Sequence, residues 1–308
     1  MSFLFSGRED FNEDISSWDT SQVTSMFATF EGAINFNGDL SNWDTSNVEN
    51  MQSTFAGAIN FNCDISSWDT GRVTNLYVTF LGAASFNSDI SGWDVSNVKS
   101  MGRLFHDARS FNQNLTNWQT AKAISMEGIF WNAKAFAGDV NSWDVSGVEN
   151  FLYMFNGASS FDGDLSGWQV SGVSNMEGMF MDAISFRGES ISEWEVSSVA
   201  NMKEMFSGAA SFAANISSWN VSSVEDMSYM LRDAASFNFD LCEWGDKFPY
   251  DSADGIFARS GCAFQDDPRG IQGPFCAAYC ATMSPTSKPT PSPAVSSFMC
   301  MYCFGCFP

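Results

Sequence analysis

Tryptophan recurs with a fixed step: Trp18, Trp43, Trp68, Trp93, Trp118, Trp143, Trp168, Trp194, Trp219 and Trp244 are 25 residues apart, with a single step of 26. Self-similarity at such a period means stacked structural units, because one short unit cannot bury its own large side chains and must share a core with its neighbours. The 308 residues are therefore ten units plus an ending, not two ordinary domains. The extra residue falls in RGESISE, between Phe186 and Trp194, where a bulge is expected.

The columns of the aligned units predict local structure. Leu40, Trp43, Thr45 and Val48 alternate as a short strand would, with Trp43 and Thr45 on one face and Asp44 on the other. Val48, Met51, Phe55 and Ala58 then keep one stripe of a helix, repeated at Val98, Met101, Phe105 and Ala108. Ser46 followed by Glu49 matches a capping box, also seen at Ser146 and Glu149 and at Ser222 and Glu225. Gly32, Gly57, Gly82, Asp107, Asn132, Gly157, Asp182, Gly208 and Asp233 form a column of residues that tolerate the left-handed conformation ending a helix. A second Phe column (Phe11, Phe36, Phe61, Phe86, Phe111) is usually followed by Asn or Asp, an apolar plug before a turn. The expected fold class is α/β: a leucine-rich-repeat-like solenoid of ten 25-residue units, each a short parallel strand and a helix. At about 4.8 Å per strand, its sheet would run roughly 45 to 50 Å.

The motif V-x-x-M-x-x-M-F-x-G-A-x-x-F-N-x-D-I-S-x-W-D-V-S, present as VSNMEGMFMDAISF and FNSDISGWDVSNV, resembles the BspA-like leucine-rich-repeat surface proteins of bacteria and protists. The likeness runs from Met1 to about Trp244. It implies a surface or secreted solenoid that acts in adhesion or protein recognition, and supplies no catalytic residue.

Composition narrows the functions further. Thirty-six acids against 14 bases give a net charge of −22, which repels phosphates and leaves no basic stripe for nucleic acid. The partner expected is a protein or glycan, and no run of 18 apolar residues is present to span a membrane. His106 is the single histidine and reads as a surface residue, which leaves neither a His-dependent triad nor a multi-His metal site, and no nucleophile elbow, phosphate loop or dinucleotide fingerprint appears. The chain reads as no enzyme, with no cofactor.

Beside each Trp, the outward column holds Asp19, Asp44, Asp69, Asp94, Asp144 and Glu195, broken by Gln119 and Gln169. These carboxylates are either a partner- or cation-binding ribbon, with Ca²⁺ as the oxygen-seeking candidate, or a solvated face bonding nearby Ser and backbone; the second reading is preferred. No metal site is assigned. A second acidic column (Asp14, Asp39, Asp64, Asp89, Asp139, Asp164, Asp240) follows a turn and is expected to satisfy its amides. The column Phe27, Gln52, Tyr77, Gly102, Glu127, Leu152, Glu177, Lys203 and Ser228 varies freely, as a specificity-setting face or an unconstrained solvent face would. The leading function is recognition; the alternative is a structural wall or matrix protein assembled through cations on the acidic ladders.

The chain opens inside a unit, since Met1 falls in the column of Met26 and Phe5 in that of Phe30. This reads as a truncated start, so the missing signal peptide does not argue against an extracellular or cell-surface location. The solenoid is expected over 1–241. Cys242, Cys262, Cys276 and Cys280 then mark a disulfide-stapled cap over 242–281 with three open pairings; a zinc site is the weaker alternative. A Pro/Ser/Thr linker over 282–297 and a Cys-rich apolar tail over 298–308 complete the division, the tail being either lipidated, a mispredicted exon or the start of a longer Cys-rich segment. Cys63 reads as a free thiol, and Asn114, Asn215 and Asn220 carry glycosylation sequons.

Overall fold

The computed structural model describes residues 1–280; the expected linker and tail lie outside the described residues. Each 25-residue unit is one coil of a solenoid, and the coils stack in parallel. They are built almost wholly from turns. The hydrogen bonds of one coil show how. Thr54 N–H donates to Met51 O, Ala56 N–H to Ser53 O, Ala58 N–H to Phe55 O and Phe61 N–H to Ala58 O, all three-residue turns at 3.0–3.1 Å. The alternate amides point along the solenoid axis instead. Ser53 N–H donates to Tyr77 O at 3.1 Å, Phe55 N–H to Thr79 O at 2.9 Å and Gly57 N–H to Leu81 O. Half of the ribbon's amides thus close turns within the coil, and half hold the next coil.

This corrects two expectations. The helix from Val to Phe is not formed. A helix would return every amide to its own segment, whereas here every second amide reaches the neighbour. Each ribbon also holds two left-handed residues four apart, such as Ser53 at φ 56° and Gly57 at φ 70°, which a right-handed helix cannot contain. The apolar stripe is nonetheless buried, because successive three-residue turns return Val48, Met51, Phe55 and Ala58 to the same side. The left-handed column from Gly32 to Asp233 is present, and it ends a turn.

The strand on Trp-Asp is absent too. Trp43 closes the turn Leu40–Trp43, and Thr45 opens the turn Thr45–Val48, which leaves too few extended residues for a ladder. Side chains couple the coils there. Trp43 Nε1 donates to Ile15 O, Trp68 Nε1 to Leu40 O and Trp93 Nε1 to Ile65 O, each at 3.1 Å, and Thr45 Oγ1 donates to Asp69 O at 2.9 Å. Parallel backbone pairing is confined to single residues seven positions after Trp: Ser25 with Asn50, Asn50 with Asn75, and Asn75 with Ser100.

The core is three aromatic rows. Phe30, Phe55 and Phe80 stack at 5.4–5.6 Å along the axis, Phe36, Phe61 and Phe86 at 5.9–6.1 Å, and the two rows meet with Phe55 and Phe61 at 3.8 Å. The Trp row runs alongside, with Trp118 and Trp143 at 6.0 Å. Each such side chain contributes about 1.5–3 kcal/mol by burial and each aromatic pair about 0.5–1.5 kcal/mol more. The Phe plugs are tied by an asparagine row as well: Asn37 N–H donates to Asn12 Oδ1, Asn62 N–H to Asn37 Oδ1 and Asn87 N–H to Asn62 Oδ1.

The one-residue insertion forms a single 3-10 turn, Glu189–Ile191, after Gly188 at φ 78°. At the far end, the ribbon continues past Trp244, with Tyr229 N–H donating to Asp254 O and Leu231 N–H to Ile256 O. A second 3-10 segment, Cys242–Lys247, and a hairpin of β1 (Pro274–Phe275) with β2 (Ala278–Tyr279) complete the cap. Disulfides join Cys242 to Cys280 and Cys262 to Cys276. Among the described residues, no helix is long and apolar enough to cross a membrane.

Candidate functional site

Most surfaces of the solenoid repeat from coil to coil; the outer face of the ribbon does not. Its side chains come from the variable column Phe27 to Ser228 and from the positions just after it. Trp131, the Trp outside the periodic series, lies here, as do His106, Tyr77, Tyr153 and Tyr229. They touch along the axis. His106 stacks on Trp131 at 4.5 Å, Trp131 meets Tyr153 at 4.9 Å, and the Arg103 guanidinium sits 5.8 Å over the Trp131 ring while pairing with Glu127. Tyr153 Oη donates to Glu177 Oε1 at 3.1 Å, and Asn201 Nδ2 donates to Glu177 Oε2 at 3.0 Å. Further along, Arg232 lies 4.8 Å over Tyr229 and pairs with Glu204 at 3.5 Å.

Glycines make room for these large groups. A Cβ on Gly102 would lie 3.3 Å from the Tyr77 ring, one on Gly128 3.2 Å from Arg103, one on Gly178 2.3 Å from the Tyr153 ring and one on Gly255 2.7 Å from the Tyr229 ring. Each bulky side chain therefore lies down on the backbone of the next coil. Burial and the Glu177 contact push the Tyr153 phenol up to about 12. Gly178→Ala should lift that ring off its seat, cost about 1–3 kcal/mol by overpacking and bring the Tyr153 titration back toward 10. An absorbance titration beside a melting curve checks both, and an unshifted phenol would show that the ring is not seated as described.

His106 is pushed down by burial, its Nδ1 is buried without a partner, and Nε2 lies 3.3 Å from Asp107. No hydroxyl or thiol nucleophile is hydrogen-bonded to it among the described residues.

The acidic column beside Trp is exposed, and each carboxylate accepts from an amide two residues on. Asp19 takes Ser21 N–H, Asp44 Ser46, Asp69 Gly71, Asp94 Ser96, Asp144 Ser146 and Glu195 Ser197, at 2.9–3.1 Å. The Ser46 and Ser146 hydroxyls donate to the same oxygens at 2.6 Å. Bonds from Ser21, Ser46 and Ser146, first by hydroxyl and then by amide, hold Asp19, Asp44 and Asp144 below the usual carboxylate range. The second column behaves alike, Asp14 through Ser16 and Asp64 through Ser66. A folded-state pKa below the unfolded one gives stability that is present above the unfolded value and lost as pH falls through the folded value. Acid titration should therefore leave the melting temperature level down to about pH 4 and lower it steeply below, where these turns lose their acceptors; a flat profile to pH 2 would contradict this.

Asn114, Asn215 and Asn220 occupy the same turns, with Oδ1 accepting Thr116, Ser217 and Ser222 N–H. Asn in place of Asp before a fixed Ser or Thr creates the sequon, so turn geometry accounts for all three. Cys242, Cys262, Cys276 and Cys280 are consumed by disulfides, which removes the thiolates a zinc site would need, even though Asp240 lies against Cys242 and Cys280. Cys63 is free and half-buried, its thiol pushed up by burial.

The sequence matches a family described as "Mycoplasma protein of unknown function, DUF285", in overlapping stretches over 1–80, 38–140, 60–168, 113–189 and 163–266. The chain belongs to this family. The overlaps follow from the 25-residue period, since any run of coils fits the pattern in several registers. The sequence matches no curated protein. Among solved structures, a leucine-rich repeat protein from Eubacterium ventriosum is similar at 10% identity and a TM-score of 0.37, covering 78% of this chain and 68% of its own. Another, from Bacteroides ovatus, is similar at 14% identity and a TM-score of 0.33, covering 84% and 74%. At these TM-scores residue positions do not transfer, and the BspA-like assignment stays a resemblance.

Proposed function

We propose that this chain is a non-enzymatic recognition protein, displayed at a surface or secreted, that binds a protein partner through the ribbon face around Trp131. The observation that carries this reading is the collection of non-repeating aromatic and arginine side chains on one face of an otherwise repeating molecule. Trp, Tyr and Arg, rigid and already seated, are the residue types that dominate binding energy at protein interfaces. The two disulfides support an oxidising compartment.

The acidic ladders are read as turn caps. Each Asp spends one oxygen on its own turn, so the structural alternative, assembly through cations, would have to use what remains. The test is capture of binding proteins from cell-surface extract by the wild type, by Trp131→Ala and by an Asp44→Asn/Asp69→Asn/Asp94→Asn variant, with and without millimolar Ca²⁺. A central Trp contributes at least about 2 kcal/mol, so Trp131→Ala should weaken capture of the wild-type partner about 30-fold. The triple Asn variant should retain it, and Ca²⁺ should leave size and melting unchanged. Capture lost only in the Asn variant, or assembly driven by Ca²⁺, would transfer the function to the ladders.

A further inference from the structure

Asparagine precedes glycine twice in the chain, at Asn37-Gly38 and at Asn156-Gly157. Such a pair is chemically weak, because glycine has no Cβ to keep its own amide nitrogen away from the carboxamide carbon before it. Packing treats the two pairs differently. Asn156 is 7% exposed, and the Gly157 N–H is spent on Met181 O of the next coil at 2.7 Å. Asn37 is exposed, and the Gly38 N–H has no acceptor among the described residues.

Asn37 also stands in the row that ties the Phe plugs, and the row supplies its own comparison. Asn62, Asn87 and Asn112 hold the same place in later coils, each Oδ1 accepting the amide 25 residues on at 2.7–2.8 Å. They are followed by Cys63, Ser88 and Gln113, whose side chains crowd the approach to the carboxamide. Only Gly38 leaves it open. The Asn62 N–H, 2.8 Å from Asn37 Oδ1, sits on the oxygen that takes the charge when that carbon is attacked.

We propose that Asn37 is a site of spontaneous deamidation and isomerisation that unties two coils of the asparagine row. The Gly38 nitrogen, its proton taken by base, attacks Asn37 Cγ; a C–N bond forms, the bond from Cγ to Nδ2 breaks, and Nδ2 leaves as ammonia. Water then opens the five-membered imide at one of its two carbonyls. Attack at Cγ gives aspartate, and attack at the main-chain carbonyl gives isoaspartate, whose chain runs on through Cγ. One water is taken up and one ammonia released, with no change of oxidation state. Aspartate keeps the acceptor that Asn62 N–H needs. Isoaspartate inserts one carbon into the main chain, so the bonds from Asn37 N–H to Asn12 Oδ1 at 2.9 Å and from Asn62 N–H to Asn37 Oδ1 lose their common register. This site is separate from the Trp131 face, and either reading can fail alone.

The test holds the full chain in warm, mildly alkaline buffer and reads its peptides by mass, with an isoaspartyl methyltransferase to mark the isomerised product. Conversion at Asn37 should outrun that at Asn156, Asn62, Asn87 and Asn112 at least about tenfold, which is about 1.4 kcal/mol of barrier. In denaturant Asn156 should draw level with Asn37, since its dipeptide is the same and only the fold protects it. Gly38→Ser, which copies the pair Asn87 and Ser88 already present in this turn, should slow Asn37 at least about tenfold. In the isoaspartate fraction the Asn62 amide should exchange at least about fivefold faster, the loss of one hydrogen bond, while the Asn87 amide keeps its rate. Equal conversion at Asn37 and Asn156 in the native chain, or rates along the row that ignore the following residue, overturn the site. An Asn62 amide as protected as before in the isoaspartate fraction overturns its effect on the row.

Discussion

Replacing Trp143 by Ala is expected to cost about 3 to 5 kcal/mol, the range for emptying a large aromatic site in a packed core. The indole is 2% exposed, stacks between Trp118 at 6.0 Å and Trp168 at 6.5 Å, and meets Phe130 at 5.9 Å. It also ties two coils together, because Nε1 donates to Leu115 O at 3.1 Å where no backbone ladder exists. Truncation leaves a gap in the row and takes from Leu115 O one of its two donors, the Trp118 N–H at 3.0 Å being the other. Since each coil contacts mainly its neighbours, the damage should be local, splitting the melting transition into two rather than abolishing structure at once. Asp144→Asn, one position away, keeps an oxygen that can accept Ser146 N–H and should change stability by less than about 0.5 kcal/mol. Calorimetry of both variants decides the matter: a tolerated Trp143→Ala beside a damaging Asp144→Asn would mean that the coil is inside out.

The rows of Trp, Phe and Met were legible because burial follows residue type and period, whatever the backbone does between them. The backbone itself was not. Val48, Met51, Phe55 and Ala58 fit a helical stripe, yet the same side is reached by consecutive turns, and only amide partners 24 residues away distinguish the two. The Gly column announced one left-handed position per coil. The other, held by Ser53, Val78, Arg103 and Tyr153 at φ 51–56°, gave no signal, since a β-branched or bulky residue ordinarily avoids that region. One bond to the next coil and one within its own coil fix it: Val78 N–H donates to Gly102 O, and Leu81 N–H to Val78 O.

The face proposed for binding was half legible. The variable column from Phe27 to Ser228 stood out, but variation alone does not separate a specificity face from idle surface. What the proposal adds is the seating of Tyr77, Arg103 and Tyr153 on glycines one coil away, a relation between units that reading a single column does not expose. The one sequence clue was Trp131, the tryptophan that breaks the period. The acidic column was conspicuous for the opposite reason: its regularity reflects a turn repeated in most coils.

Removing the Cys262–Cys276 disulfide with Ala at both positions is expected to cost about 3 kcal/mol, from the chain entropy of a loop of 14 residues. For Cys242–Cys280, separated by 38, the same reasoning gives about 4 kcal/mol. The losses should fall on the cap first. Cys276 is fully buried, pairs with Asp240 in an antiparallel bridge and accepts Phe264 N–H at 2.9 Å, so its release frees the hairpin that covers the last coil. Leu241, Trp244 and Phe275, all buried, then meet water. Limited proteolysis should cut beyond Ser260 before any cut within the central coils, and the central melting transition should hold its temperature. A double lesion with Trp143→Ala should show nearly additive losses, because the two sites share no partner. Native protein from an oxidising compartment in which all four thiols alkylate without denaturant would defeat the prediction, since the cap would then stand on packing alone.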